Sequence, residues 1–259
     1  MGLTLNRFFL FPFFFVGLLF WGSIAFPSSV WAKCQLTEKH EQGLRKVYPK
    51  LQFEIVKIGP SEISGLCQIQ VKIGAQIYLL YSDSHGDFLL TGNLFELKTG
   101  KNLTLETTQM LNQLSPEEIS QLESLTAFTL GQGKKVVYLV TDPQCPYCKQ
   151  AESLLKKLIE NEGLLVRFLL FPLVSHKGAR EQCISILCDR KGIEGWGSGY
   201  QSANQCPEGI KKVDGTIALL EKKGISSTPT FIFSDGIYVS GLITEEELRR
   251  RLGLSKALP

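Results

Sequence analysis

The sequence predicts an α/β fold carrying a helical insertion, preceded by a smaller α+β unit and a linker helix. Three observations predict it. The apolar, β-branched run 136–140 leads straight into Thr141-Asp142-Pro143-Gln144-Cys145-Pro146-Tyr147-Cys148. Cys148, Ala151, Leu155, Leu158 and Ile159 then recur at helical spacing, so a strand turns into a helix at the two cysteines. A second apolar run, 164–170, completes a β-α-β crossover, expected to be right-handed and parallel. The chain later returns as strands 230–233 and 237–240 around Ser234-Asp235-Gly236, followed by a last helix that Thr244 and Glu247 cap.

The cysteines sit where a helix begins. Pro146 occupies the first helical position, and Asn161-Glu162-Gly163 supplies the stop. Free backbone N–H groups and the positive end of the helix dipole favour an anion there, so Cys145 is expected to be an exposed, low-pKa thiolate. Cys148 lies one turn in, on the apolar stripe, shielded and poised to attack a mixed disulfide at Cys145. A structural zinc would need four ligands. There is no second C-x-x-C, and His40, His85 and His176 show no ligand spacing. The pair therefore reads as a redox dithiol, with neither metal nor cofactor expected.

A length of 259 residues allows about two domains. The first 32 residues hold eight of the sixteen Phe and two of the three Trp, which raises the overall apolar content. They begin with Arg7, continue through the apolar run 8–26, and end in Val30-Trp31-Ala32. Small residues at that exit make residues 1–32 an expected signal peptide cleaved before Lys33, and Pro12 argues against a permanent span. Cleavage lowers the net charge from +3 to +2, too little to suggest a nucleic-acid partner. All seven cysteines follow this segment, as befits a chain exported to an oxidising compartment.

Residues 33–103 read as the first unit. A helix over 38–48, with Leu44, Val47 and Tyr48 on one face, precedes strands at 52–58, 68–73, 77–82 and 88–98. At about 70 residues the unit is small, so a second subunit or a disulfide would help it. Cys34 and Cys67 could staple its N-terminal arm to the sheet; the other reading is two unpaired thiols. Residues 104–132 read as a linker whose helix starts at Ser115-Pro116-Glu117-Glu118 and carries Ile119, Leu122 and Leu125 on a thin apolar stripe. Such a stripe suits an exposed connection or a helix packed on either unit. Residues 133–259 form the second unit, with a glycine-punctuated helical stretch over 175–223 that holds Cys183, Cys188 and Cys206.

Thr141-Asp142 ahead of Cys145-Pro146-Tyr147-Cys148, then Leu170-Phe171-Pro172, then Gly224-Ile225-Ser226-Ser227-Thr228-Pro229-Thr230, resemble the DsbC/DsbG periplasmic disulfide isomerases of the thioredoxin superfamily. The order of parts resembles theirs too. The resemblance implies a thioredoxin fold with a helical insertion behind a small cystatin-like dimerisation domain. It implies that Cys145 attacks client disulfides and Cys148 resolves the adduct. It further implies a cis peptide at Thr228-Pro229 facing the dithiol, where the Thr228 backbone pairs with an extended client. Cys188 and Cys206 match the family's structural disulfide, which leaves Cys183 as a buried small apolar residue. Residues 91–97 occupy the place of the dimerising edge strand.

The implied protein is a periplasmic homodimer that reshuffles wrong disulfides in unfolded or misoxidised exported proteins, holds them as a chaperone would, and is kept reduced by a membrane thiol reductase of the DsbD type. One departure is Pro146, where the compared isomerases usually have Gly. Residues between the cysteines tune the reduction potential, so Pro146 keeps open a disulfide oxidase or a dedicated reductase, for example one serving cytochrome c maturation. A binding module with an incidental dithiol is the reading from another class.

Overall fold

The computed structural model describes residues 34–254; the expected signal peptide lies outside the described residues. Among the described residues no helix is long and apolar enough to cross a membrane.

Helix α1 (Glu38–Val47) opens at Thr37, whose backbone N–H donates to His40 Nδ1 at 3.2 Å in a capping box. Its Leu44 packs against Ile69 and Val71 of a four-stranded antiparallel sheet. That sheet runs in chain order: β1 (Glu54–Pro60), β2 (Leu66–Ile73), β3 (Gln76–Asp83) and β4 (Leu89–Leu90). In β2 the period-two pattern buries Cys67, Ile69 and Val71 and turns the alternate residues outward. Cys67 is joined to Cys34 by a disulfide, which ties the N-terminal arm to the sheet.

The strand expected over 88–98 is broken. After β4 the chain passes Gly92 (φ 149°), and a turn from Glu96 to Gly100 folds β5 (Phe95–Glu96) onto β6 (Lys101–Asn102). The edges of the four-stranded sheet are therefore β1 and β4, while 95–96, expected within a dimerising edge strand over 91–97, belong to a separate two-stranded ribbon. The backbone N–H of Leu94 donates to Thr104 Oγ1 at 2.8 Å, which holds this diversion in place.

The region expected as one linker helix contains two helices and a strand. Helix α2 (Leu103–Asn112) starts at Asn102, whose side chain accepts from the Leu105 N–H at 2.9 Å. Helix α3 (Pro116–Ser124) has the expected capping box of Ser115 and Glu118. It is not an exposed connection: Leu122 is fully buried among Val140, Leu169, Leu220 and Ile232. Strand β7 (Phe128–Leu130) then pairs with the larger sheet, so that sheet begins before residue 133, where the second unit was expected to start.

The larger sheet has the order β11-β10-β8-β9-β7. Its centre is β8 (Lys135–Thr141), parallel to β9 (Leu164–Leu170), with α4 (Pro146–Glu162) as the crossover and Gly163 as a left-handed helix stop. Strands β10 (Thr230–Phe233) and β11 (Tyr238–Ser240) add the antiparallel hairpin. Alternation in β8 sorts the two faces. Val137 and Leu139 pack with Ala151, Leu155 and Leu158 of α4 and with Leu248 of the last helix, α8 (Glu245–Arg251). Tyr138 and Val140 pack towards α3 and α7 (Pro207–Lys222).

The insertion is helical: α5 (Ala179–Cys188), α6 (Gly192–Ser198) and α7. A disulfide joins Cys188 at the end of α5 to Cys206 at the cap of α7. The two helices meet so closely at Gly209 that a Cβ there would lie 2.7 Å from Cys188 Sγ and 3.0 Å from the Ile184 carbonyl oxygen. The smaller unit docks on the larger one through Gln76, whose Nε2 donates to the Gly224 carbonyl (3.1 Å) and to the Tyr238 hydroxyl (2.8 Å).

Candidate active site

The turn between β8 and α4 is built on Asp142, a fully buried carboxylate. One of its oxygens accepts the Gln144 N–H at 2.7 Å; the other accepts the Leu173 N–H at 2.6 Å and lies 2.9 Å from His176 Nδ1. A carboxylate removed from water survives because donors surround it. It also clamps the loop after β9 against the cysteine turn, a clamp that Gln144 Nε2 extends by donating to the Lys177 carbonyl at 3.0 Å.

Cys145 caps α4 with extended backbone, and Pro146 begins the helix. The nucleophile was expected to be exposed, yet Cys145 is only 3% exposed. The 228–229 segment closes over it: Cys145 Sγ lies 3.6 Å from the Thr228 carbonyl oxygen, and the Thr228-Pro229 peptide is cis. That placement follows from the ladder, because Thr230 of β10 pairs with Val140 of β8 and sets the preceding residues beside the dithiol. Tyr147, between the cysteines, and Val174, on the clamped loop, are both exposed large hydrophobic residues close in sequence to these groups.

Cys148 has no exposed surface. Burial pushes its thiol up to about 12, partly offset by contacts from the Thr228 and Thr141 side chains. The two sulfurs are thus chemically distinct: Cys145 lies at a helix N-terminus beneath the Thr228 backbone, and Cys148 lies beneath it in apolar surroundings. Cys145 and Cys148 are both free thiols here. Cys183, the third free cysteine, is buried in the same apolar cluster. Desolvation pushes its thiol well up, and the charge of Asp142 adds to the effect.

The structure thus brings together Cys145, Cys148, Thr228 and Pro229, and pairs Cys188 with Cys206 and Cys34 with Cys67 as two disulfides. Among the described residues no cluster of three or more His, Cys, Asp or Glu side chains is placed to hold a metal ion. The Asp142–His176 contact was not anticipated. Its one signal in the sequence is a polar Thr141-Asp142 pair ending an otherwise apolar strand.

Two family models match the chain: a thioredoxin-like domain over residues 125–255 and a disulfide bond isomerase protein N-terminal domain over residues 32–105. The probable thiol:disulfide interchange protein DsbC of Bordetella avium is 27% identical over 209 residues, covering 78% of this chain and 72% of that protein. Its counterpart from Bordetella pertussis is 28% identical over 185 residues, covering 71% of this chain and 64% of that one. The thiol:disulfide interchange protein DsbC of Salmonella typhimurium is 23% identical over 215 residues, covering 81% and 85%. With a thioredoxin-like domain carrying the dithiol and a disulfide-isomerase N-terminal domain ahead of it, the chain belongs to the DsbC-type family of the thioredoxin superfamily.

Proposed function

We propose that the protein is a periplasmic thiol:disulfide isomerase, exported by residues 1–32 and acting as a homodimer on misoxidised proteins. The observation that carries the reading is the pairing, in one chain, of a disulfide-isomerase N-terminal domain with Cys145 lying 3.6 Å from the Thr228 carbonyl.

The Cys145 thiolate attacks one sulfur of a wrong disulfide in a client. A Cys145–client disulfide forms, and the other client sulfur leaves as a thiolate. The cycle can then close in two ways. If a different client thiolate attacks the adduct, Cys145 is released unchanged and the client has exchanged one disulfide for another. If Cys148 attacks Cys145 Sγ instead, the client leaves as a dithiol and the enzyme is left oxidised. In the second route two electrons have passed to the client, so a donor must return them. A membrane thiol reductase of the DsbD type fits that need.

An extended client can lie along the Thr228-Pro229 segment, whose backbone presents hydrogen-bonding groups beside the nucleophile. Dimerisation would use the N-terminal domain; in place of the edge expected over 91–97, the adjoining edge strand β4 offers exposed Leu90 beside exposed Phe88. Two dithiols facing one client would raise its residence without new contacts at either site.

The resting redox state tests this reading. With the protein expressed in a bacterial periplasm and thiols trapped by rapid alkylation, Cys145 and Cys148 should be mostly reduced. A dithiol found mostly oxidised would make the protein an oxidase.

A further inference from the structure

Cys148 poses a chemical problem that its surroundings answer. To resolve a mixed disulfide it must ionise, yet it has no exposed surface and its thiol is pushed up to about 12. At neutral pH such a thiol is ionised in roughly one part in 10^5. Water cannot solvate the thiolate at this depth, so any stabilisation must come from fixed donors.

Two buried hydroxyls fit that role. Thr141 Oγ1 and Thr228 Oγ1 are each shut off from solvent and have no hydrogen-bond partner in the resting dithiol, and both side chains work against the rise that burial imposes on the Cys148 thiol. The direction of Thr141 follows from the strand: Val137 and Leu139 of β8 face α4, so Thr141, two residues further on, faces the first turn of α4, where Cys148 sits. A buried hydroxyl without a partner is costly, because it has given up its hydrogen bonds to water. Valine would fill the same space on a strand without that cost.

We propose that Thr141 is a positioning residue for the resolving step, its hydroxyl donating with that of Thr228 to the Cys148 sulfur as it becomes a thiolate. The proposal rests on the reading of Cys145 and Cys148 as the reacting pair. In the step itself the Cys148 thiol gives up its proton, offset by the one that the departing client sulfur takes up. Its thiolate forms a bond to Cys145 Sγ, and the bond from Cys145 to the client sulfur breaks. The client sulfur departs with the electron pair and takes up a proton. Cys145 and Cys148 are oxidised to a disulfide, and the client is reduced. The Thr141 hydroxyl donates a hydrogen bond throughout and transfers nothing.

The test uses the full-length reduced protein and dithionitrobenzoate, an aromatic disulfide whose released thiolate is coloured. A Cys183→Ala background keeps the third thiol out of the count. Attack by Cys145 releases a first equivalent of colour, and attack of Cys148 on the adduct releases a second. Thr141→Val should leave the first phase unchanged, slow the second about tenfold at neutral pH, and move its pH profile upward by about one unit. Thr141→Ser, which restores the hydroxyl, should recover the second phase. A second phase in Thr141→Val that matches the parent protein, or slowing of both phases with no shift in the pH profile, would overturn the proposal. A parent protein that shows no first phase would instead sink the reading of the dithiol on which the proposal rests.

Discussion

Cys145 Sγ and the Thr228 carbonyl oxygen lie 3.6 Å apart although 83 residues separate them in the chain. Two features of the fold create this contact. The β8–α4 turn puts Cys145 at a helix start, and the pairing of Thr230 with Val140 brings the segment before β10 across the top of that turn. Cys145 is thus covered by the Thr228 backbone rather than open to solvent. On the proposed function, a client pairing with this backbone would present its disulfide to Cys145.

The first expectation concerns the division of labour between the sulfurs. Cys148→Ala should accumulate Cys145–client disulfides, visible as high-mass bands on non-reducing gels that reductant abolishes. Cys145→Ala should trap none. Adducts that accumulate in Cys145→Ala would reverse the assignment.

A second expectation is a pH dependence specific to the reduced state. Burial raises the Cys148 thiol from its ordinary 9.0 to about 12, so the folded state favours the neutral thiol more than the unfolded chain does. That contribution to stability is fully present below pH 9.0 and is lost as pH rises towards about 12. The oxidised protein has no Cys148 thiol to ionise. Denaturant midpoints of the two forms, followed from about pH 8 to about pH 11, should show the reduced form losing stability relative to the oxidised one. A constant difference would mean that Cys148 is not desolvated.

Much of this was legible in the sequence because local signals and tertiary packing agree. Val136 to Val140, the cysteine turn and the stripe from Cys148 to Ile159 each favour the element they form, and Pro146 and Gly163 mark its ends. Helix α2 was missed for the converse reason. Its sequence, Leu103-Thr104-Leu105-Glu106-Thr107-Thr108, is rich in threonine, a weak helix former, and it is held by packing and by the Asn102 cap. The strand expected over 88–98 failed because Leu89, Leu90, Leu94, Phe95 and Leu97 look continuous in composition, while Gly92 and the turn at 96–100 divide them. The depth of Cys145 was not legible either, since the residues that cover it are more than 80 positions away.

A third expectation bears on the insertion. The Cys188–Cys206 bridge closes a loop with a sequence separation of 18, for which the chain-entropy model gives about 3 kcal/mol. Replacing both cysteines by alanine should lower the unfolding free energy by that order. Gly209→Ala should also destabilise, because its Cβ would press on Cys188 Sγ and on the Ile184 carbonyl. An unchanged denaturation midpoint in both variants would contradict the packing described for α5 and α7.

Asp142 carries a fourth. Asp142→Ala removes the acceptor for the Gln144 and Leu173 N–H groups and the partner of His176, leaving buried donors unsatisfied. A loss of about 3 kcal/mol is expected, accompanied by faster hydrogen exchange at Leu173 in the reduced protein. Retention of wild-type stability would show that the turn and the loop after β9 are held by other contacts.

The most direct test of the central claim is the recovery of activity by a scrambled protein with several disulfides, incubated with the reduced full-length chain. The parent protein should restore the native disulfides, and Cys145→Ala, with the same fold by circular dichroism, should fall to the uncatalysed rate. Recovery in Cys145→Ala as fast as in the parent would contradict it, because disulfide exchange would then not pass through Cys145.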